Sequence, residues 1–231
     1  MENPVTERNT VPGGLPGIKQ QEGLPRPDIY PSPGLGAWLH GIGGSLLFST
    51  YQTGRVFLLS GDDTGALHAL ERVVGTAMGL HIDQEKLWIA NREHIWRFGN
   101  VGAGHVDGVD HDAIYMPRAG WFIGDSDAHD LVADARWRGE THRLVYANTR
   151  FSCVSAIDDQ FSFRPLWTPP FITALAPGDR CHLNGVCDQD GDLAFATMCA
   201  ETDGRLGWRS RERIGRGIVM DMRTDQVVCR G

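Results

Sequence analysis

The sequence predicts an all-β protein, a β-propeller-like array of about four blades that leaves the ring incomplete. Three observations predict it. Apolar runs are short and are separated by glycine, proline and acidic turns, with 29 glycines and 12 prolines in 231 residues. Apolar and polar positions alternate inside those runs. A strand–turn–strand unit recurs, beginning at Leu47, Leu87, Leu144 and Leu193, at intervals of 40, 57 and 49 residues. A unit of roughly 40 to 50 residues that carries several strands is the spacing of propeller blades.

Residues 1–34 read as a disordered tail. Pro12, Pro16, Pro25, Pro27, Pro31 and Pro33 interrupt any helix or sheet, and large apolar residues are few. The propeller-like domain is read over residues 35–231. Its first unit is Leu47–Phe57, its second Leu87–Arg97 and its third Leu144–Val154, with a weaker fourth from Leu193 to Cys199. A short inner strand is expected before each: Ala37–His40, Met78–Ile82, His129–Val132 and Leu183–Val186. Acidic turns such as Asp188-Gln-Asp-Gly-Asp192 separate the strands. One blade cannot bury both of its faces, so each packs on its neighbours around a central channel. The last segment, Val227–Gly231, reads as a strand stopped before its turn, so the domain is expected to be truncated at its C-terminal end.

Composition narrows the function. The net charge is −7 and no lysine or arginine cluster is long enough to follow a phosphate backbone, which argues against nucleic acid. No window holds the run of about 20 apolar residues that crosses a membrane. The N-terminus shows no apolar signal-peptide core, and five cysteines without a pairing pattern are expected to be reduced thiols of a cytoplasmic protein. No Cys-x-x-Cys pair is present to hold structural zinc.

The richest stretch is Arg180-Cys-His-Leu-Asn-Gly-Val-Cys187. In a propeller, the first residues of inner strands gather at the channel mouth. His40, His81, Asp127, His129, Asp130, His182 and Asn184 are expected there, and His129, Asp130, His182 and Asn184 are the predicted ligand-binding residues. His129, His182 and Asn184 could also ligate a divalent cation, through imidazole nitrogens and an amide oxygen. The bland alternative is that these groups only bond backbone at strand starts. Asp125, Asp127 and Asp130 lack the spacing of a calcium loop and read as a solvated turn. Cys181 is adjacent to His182 and so points to the opposite face, which makes it a buried thiol and not a nucleophile. Phe161, Phe163, Trp167, Pro169, Pro170 and Phe171 read as an aromatic–proline loop, packed across blades or covering the mouth. Trp38, Trp88, Trp96, Trp121, Trp137 and Trp208 read as packing between blades.

The segment from Phe151 to Gly185 resembles a bacterial family of conserved hypothetical proteins, the domain of unknown function 4915. Tyr51-Gln-Thr-Gly-Arg55, Leu87–Ala90, Ile95–Phe98, Gly124-Asp125 and His129-Asp130-Leu131 fit the same family, and the likeness runs from about Gly36 to Gly231. The resemblance implies further strand repeats beyond this chain and carries no activity or catalytic residue. Leu183-Asn-Gly185 is also similar to the Asn-Gly of gluconolactonase-like propellers, whose asparagine binds a divalent cation. The expected function is therefore a domain that binds a small molecule or peptide at the channel mouth. The alternative is a metal-dependent hydrolase or lactonase-like enzyme using the same residues.

Overall fold

The computed structural model describes residues 28–231 except 84, 107 and 211–213, so residues 1–27 of the expected tail lie outside the described residues. One short helix, α1 (Leu35–Gly41), precedes the strands. Three strands then form a meander: β1 (Leu46–Thr50), β2 (Arg55–Gly61) and β3 (Leu67–Val73). A four-stranded sheet follows, ordered β4 (Leu80–Ile82), β5 (Lys86–Ala90), β6 (His94–Asn100) and β9 (Tyr115–Phe122). A small hairpin of β7 (Gly104–Val106) and β8 (Val109–His111) interrupts it between β6 and β9. The third meander is β10 (Ala128–Trp137), β11 (Glu140–Asn148), β12 (Cys153–Ala156) and β13 (Arg164–Trp167). The fourth is β14 (Leu183–Gln189), β15 (Asp192–Met198), β16 (Ile218–Asp221) and β17 (Gln226–Arg230). A single parallel bridge, Arg136 with Asp192, joins the last two into one curled sheet. The fold is the incomplete, propeller-like all-β array that the repeats predict.

The chain divides into two compact units. Among the described residues, unit 1 holds those up to Ala77 together with His105–Asp110, and unit 2 holds Met78–Gly104 with His111–Gly231. In unit 1 the strands pack under α1 through Leu39, Leu59 and Leu67. The expected inner strand Ala37–His40 is thus corrected to helix. The turn follows from Leu35 and Leu39, one helical turn apart, with Leu39 buried and Leu35 half-buried against the strands.

Unit 2 shows why blades need neighbours. Along β11, Leu144 and Tyr146 turn to one side and join Trp88, Ile95, Ile123 and Leu131. Val145 and Ala147 turn to the other and join Leu183, Val186, Leu193, Met198 and Met220. The period of two along one strand supplies both inter-blade cores. Two-residue turns set the register: Arg138-Gly139 closes Trp137 against Glu140, and Asp190-Gly191 closes Gln189 against Asp192. All four turn residues have positive φ, the geometry of a type I′ hairpin.

The aromatic–proline stretch is also corrected in part, because Arg164–Trp167 is the outermost strand of its blade. Pro165 is tolerated there because an edge strand leaves one row of ladder partners open. Phe163 packs into the core between blades, while Phe161 is exposed.

Behind that core lies a buried polar nest. Asn148 Nδ2 donates to Ser126 Oγ and Ser155 Oγ at 3.4 and 3.3 Å, and Ser126 Oγ donates to the Ile123 carbonyl at 2.6 Å. Tyr146 is fully buried, and its hydroxyl faces these groups without a well-formed hydrogen bond to any of them. Burial pushes that phenol far above its usual range. Tyr146→Phe removes an unsatisfied polar atom and keeps the packing. Chemical denaturation is expected to show the variant as stable as the parent or more so, by up to about 1 kcal/mol. A loss of similar size would mean that the hydroxyl is satisfied after all.

Candidate functional site

Inner strands β10 and β14 begin at the same end of unit 2, and both begin irregularly. The pairing of β10 with β11 shifts register between Ala128 and Leu131, which places His129 and Asp130 in a bulge. The pairing of β14 with β15 shifts between Leu183 and Gly185, which places Asn184 in a matching bulge. Bulges re-aim side chains and release ladder hydrogen bonds. Asp130 takes up two of these, its Oδ1 accepting from the Leu131 N–H at 2.9 Å and its Oδ2 from the Val186 N–H at 3.0 Å. Burial raises the Asp130 carboxyl above the usual carboxylate range, against these hydrogen bonds and the nearby His81 and His129, which lower it. Asp130 therefore ties one inner strand to the next. Gly185 is needed beside it, since a Cβ there would lie 2.7 Å from Thr197 Oγ1 and 3.4 Å from Asp130 Oδ2. Gly185→Ala is expected to destabilise unit 2 by about 1 to 2 kcal/mol in a denaturant melt, and an unchanged midpoint would show that the bulge adapts.

His129 and His182 do come together, their rings meeting edge to face with centroids 4.9 Å apart. His129 Nδ1 is 2.8 Å from the Asp127 carbonyl oxygen and 2.9 Å from Thr149 Oγ1. A carbonyl only accepts, and the Thr149 hydroxyl donates its one proton to the Leu183 carbonyl at 2.5 Å. The proton of neutral His129 is thus on Nδ1. His182 Nδ1 lies 2.9 Å from Asp179 Oδ1, which fixes the same tautomer on the second ring. The other Asp179 oxygen accepts from Trp208 Nε1 at 2.8 Å, and the Trp208 ring stacks on His182 at 4.1 Å. Neither imidazole Nε2 has a hydrogen-bond partner among the described residues, and neither is sealed from solvent. Two lone pairs are left without a partner, one of them on the ring that stacks with an indole.

The backbone here is held in rarely populated conformations. Asp127, Ser152, Asp179, His182 and Leu206 all have positive φ. Each is tied in by neighbours: Asp127 N–H donates to the Arg92 carbonyl, Asp179 N–H to the Arg150 carbonyl, Arg180 N–H to Ser152 Oγ, Cys199 N–H to the His182 carbonyl, and Leu206 N–H to the Gly178 carbonyl. Left-handed non-glycine residues cost about 1 to 3 kcal/mol each and cluster where geometry serves a function.

The other expected residues have different settings. His40 is on α1 in unit 1. Asn184 is exposed on β14. Asp125 lies between Arg92 and Arg150, at 3.6 and 3.4 Å, and Asp127 Oδ1 is 3.8 Å from Arg92 Nε. Cys181 is fully buried, and burial pushes its thiol up to about 12. Among the described residues no three His, Cys, Asp or Glu side chains form a group that could hold a metal ion. No helix among them is long and apolar enough to cross a membrane. A hollow in unit 1, lined by residues that include Ile29, Tyr30, Phe48, Tyr51 and Phe57, carries no imidazole. Sequence reasoning missed Asp179, Thr149 and Trp208. Asp179 had a signal, since it precedes His182 by three residues in a Pro-Gly-Asp turn.

A family model described as a domain of unknown function (DUF4915) matches residues 33–231. A search of curated proteins finds none that matches. The matched span takes in every residue of the site just described.

Proposed function

The chain belongs to the DUF4915 domain family, and from the site in unit 2 we propose that it is a small-molecule-binding domain whose recognition face is His129, His182 and Trp208. One observation carries the reading: both imidazoles are pinned through Nδ1, so two Nε2 atoms stand unpartnered beside an aromatic ring. Pinned rings lose little freedom on binding, which favours affinity. The expected partner is a small molecule or the side chain of a peptide, since the free atoms span little more than two rings.

The test is a thermal melt in EDTA with small molecules grouped as phosphorylated, carboxylated and neutral. A ligand at a hundredfold excess over its Kd stabilises the folded state by about 2.7 kcal/mol, which is roughly 5 to 10 °C for a domain of this size. The shift is expected to disappear in His182→Gln and Trp208→Phe. No ligand-specific shift in any group, with the cooperative melt retained, would sink the binding reading. The alternative, a divalent cation serving a hydrolase or lactonase-like reaction, needs a third ligand beside His129 and His182, and Asn184 is the candidate. A melt lowered by EDTA, restored by Ca²⁺, Mn²⁺ or Zn²⁺, and insensitive to those ions in Asn184→Ala would favour it instead.

A further inference from the structure

The charges around the paired histidines do not cancel. Asp125 and Asp127 are matched by Arg92 and Arg150, Asp203 by Arg180, and Asp179 by His182 and Trp208, while the buried Asp130 carboxyl near His81 and His129 is bonded by the Leu131 and Val186 N–H groups. Arg205 and Arg209 remain, both exposed and without an acidic partner among the described residues. Both sit on the loop from β15 to β16 that delivers Trp208. The Arg209 guanidinium lies over the Trp208 ring at 4.8 Å, and His182 stacks on that same ring. The Arg205 stem reaches Gly178, the residue before Asp179, with its Cγ 3.8 Å from where a Cβ of Gly178 would stand. A chain of net charge −7 thus carries two unpaired guanidinium groups beside its candidate site.

Resting on the ligand-binding reading above, we infer that the group recognised at His129, His182, Arg205 and Arg209 is a phosphoryl group. Two arguments select phosphate over carboxylate. Guanidinium forks match the oxygens of phosphate as well as those of carboxylate, but two forks and two imidazoles suit a tetrahedral group that offers three or more oxygens. The imidazoles add a condition, because each neutral ring presents an Nε2 lone pair that needs a proton. A phosphate ester has a second pKa of about 6, so roughly a tenth of it still carries such a proton at pH 7, and the site would take up that monoanion. A carboxylate has already lost its own. The bound phosphoryl group would share its proton with Nε2 of one ring and receive guanidinium hydrogen bonds on its remaining oxygens. No covalent step and no metal ion is invoked.

The test follows the histidine ring Hε1 and Hδ2 resonances of the whole chain at low ionic strength while inorganic phosphate is added, with acetate and glucose as parallel probes. Phosphate is expected to move the His129 and His182 signals saturably. The double variant Arg205→Gln, Arg209→Gln is expected to weaken that Kd at least tenfold, and Arg138→Gln, in the turn that follows β10, is expected to leave it unchanged. Acetate binding as tightly as phosphate, or a phosphate response untouched by the double variant, would overturn the phosphoryl assignment. Glucose moving the two histidines where phosphate does not would also overturn it, while leaving the binding site standing. Silence toward all three probes, joined to no stabilising ligand in the melts, would remove the binding reading as well.

Discussion

Asp179→Asn moves the proton of neutral His182 from Nδ1 to Nε2. The argument runs through Trp208. Its indole nitrogen can only donate, so the one acceptor oxygen of the new amide must face Trp208 Nε1, as Asp179 Oδ2 does at 2.8 Å. The amide nitrogen then faces His182 Nδ1, which must accept, and the ring takes its proton at Nε2. Asparagine tolerates the left-handed backbone at φ 44, so the exchange tests hydrogen-bond chemistry without new strain. Nitrogen-15 shifts of the two imidazoles read the result directly. His129, held by a carbonyl and not by Asp179, keeps its Nδ1 proton and serves as the internal reference. A His182 that stays protonated at Nδ1 would show that Asp179 does not set its tautomer. Asp179→Ala has the larger energetic effect. Asp179 is 8% exposed, and its removal leaves His182 Nδ1 and Trp208 Nε1 without their partner. A loss of about 3 kcal/mol in unit 2 is expected, in line with leaving two largely buried hydrogen-bond donors without their charged acceptor.

What the sequence could say about this site follows from where each residue sits along a strand. The strands were legible because side chains alternate between the two faces of a sheet with a period of two, as Leu144, Val145, Tyr146 and Ala147 show. His129 and His182 were legible because inner strands of adjacent blades start at one end, so residues far apart in sequence converge there. Adjacent residues proved harder. Asp130 was grouped with His129, but the bulge sends its carboxyl to the backbone of Leu131 and Val186. Trp208 reads in sequence like any packing tryptophan, and only the loop from β15 to β16 brings it onto His182. The helix Leu35–Gly41 was mistaken for a strand because four apolar-rich residues fit either period. The strand Arg164–Trp167 was hidden by its prolines, which mark a break in the middle of a sheet but not at its edge.

Unit 1 rests on a contact between two glycines, and Gly61→Ala is expected to break it. Gly61 ends β2 and faces Gly36 in the first turn of α1, and a Cβ on Gly61 would overlap the Gly36 carbonyl and its carbon. Gly36 is itself closely packed: a Cβ there would overlap the backbone of Gly65 and lie 2.8 Å from the carbonyl carbon of Ala66. These obstacles are main chain and not flexible side chain, so relief requires lifting the helix from the sheet. Lifting it uncovers Leu39, Leu59 and Leu67, the core of this unit. The expected cost is about 3 kcal/mol, at the upper end of the range for overpacking a tight contact. Hydrogen exchange locates the damage. Amides of β1, β2 and β3 in Gly61→Ala are expected to lose protection, while those of β10, β11, β14 and β15 in unit 2 keep theirs. Gly41→Ala at the end of the same helix meets no atom within 4 Å and is expected to leave the protection pattern unchanged. Equal loss of protection in both units would mean that they unfold as one, and the glycine contact would then govern the histidine site as well.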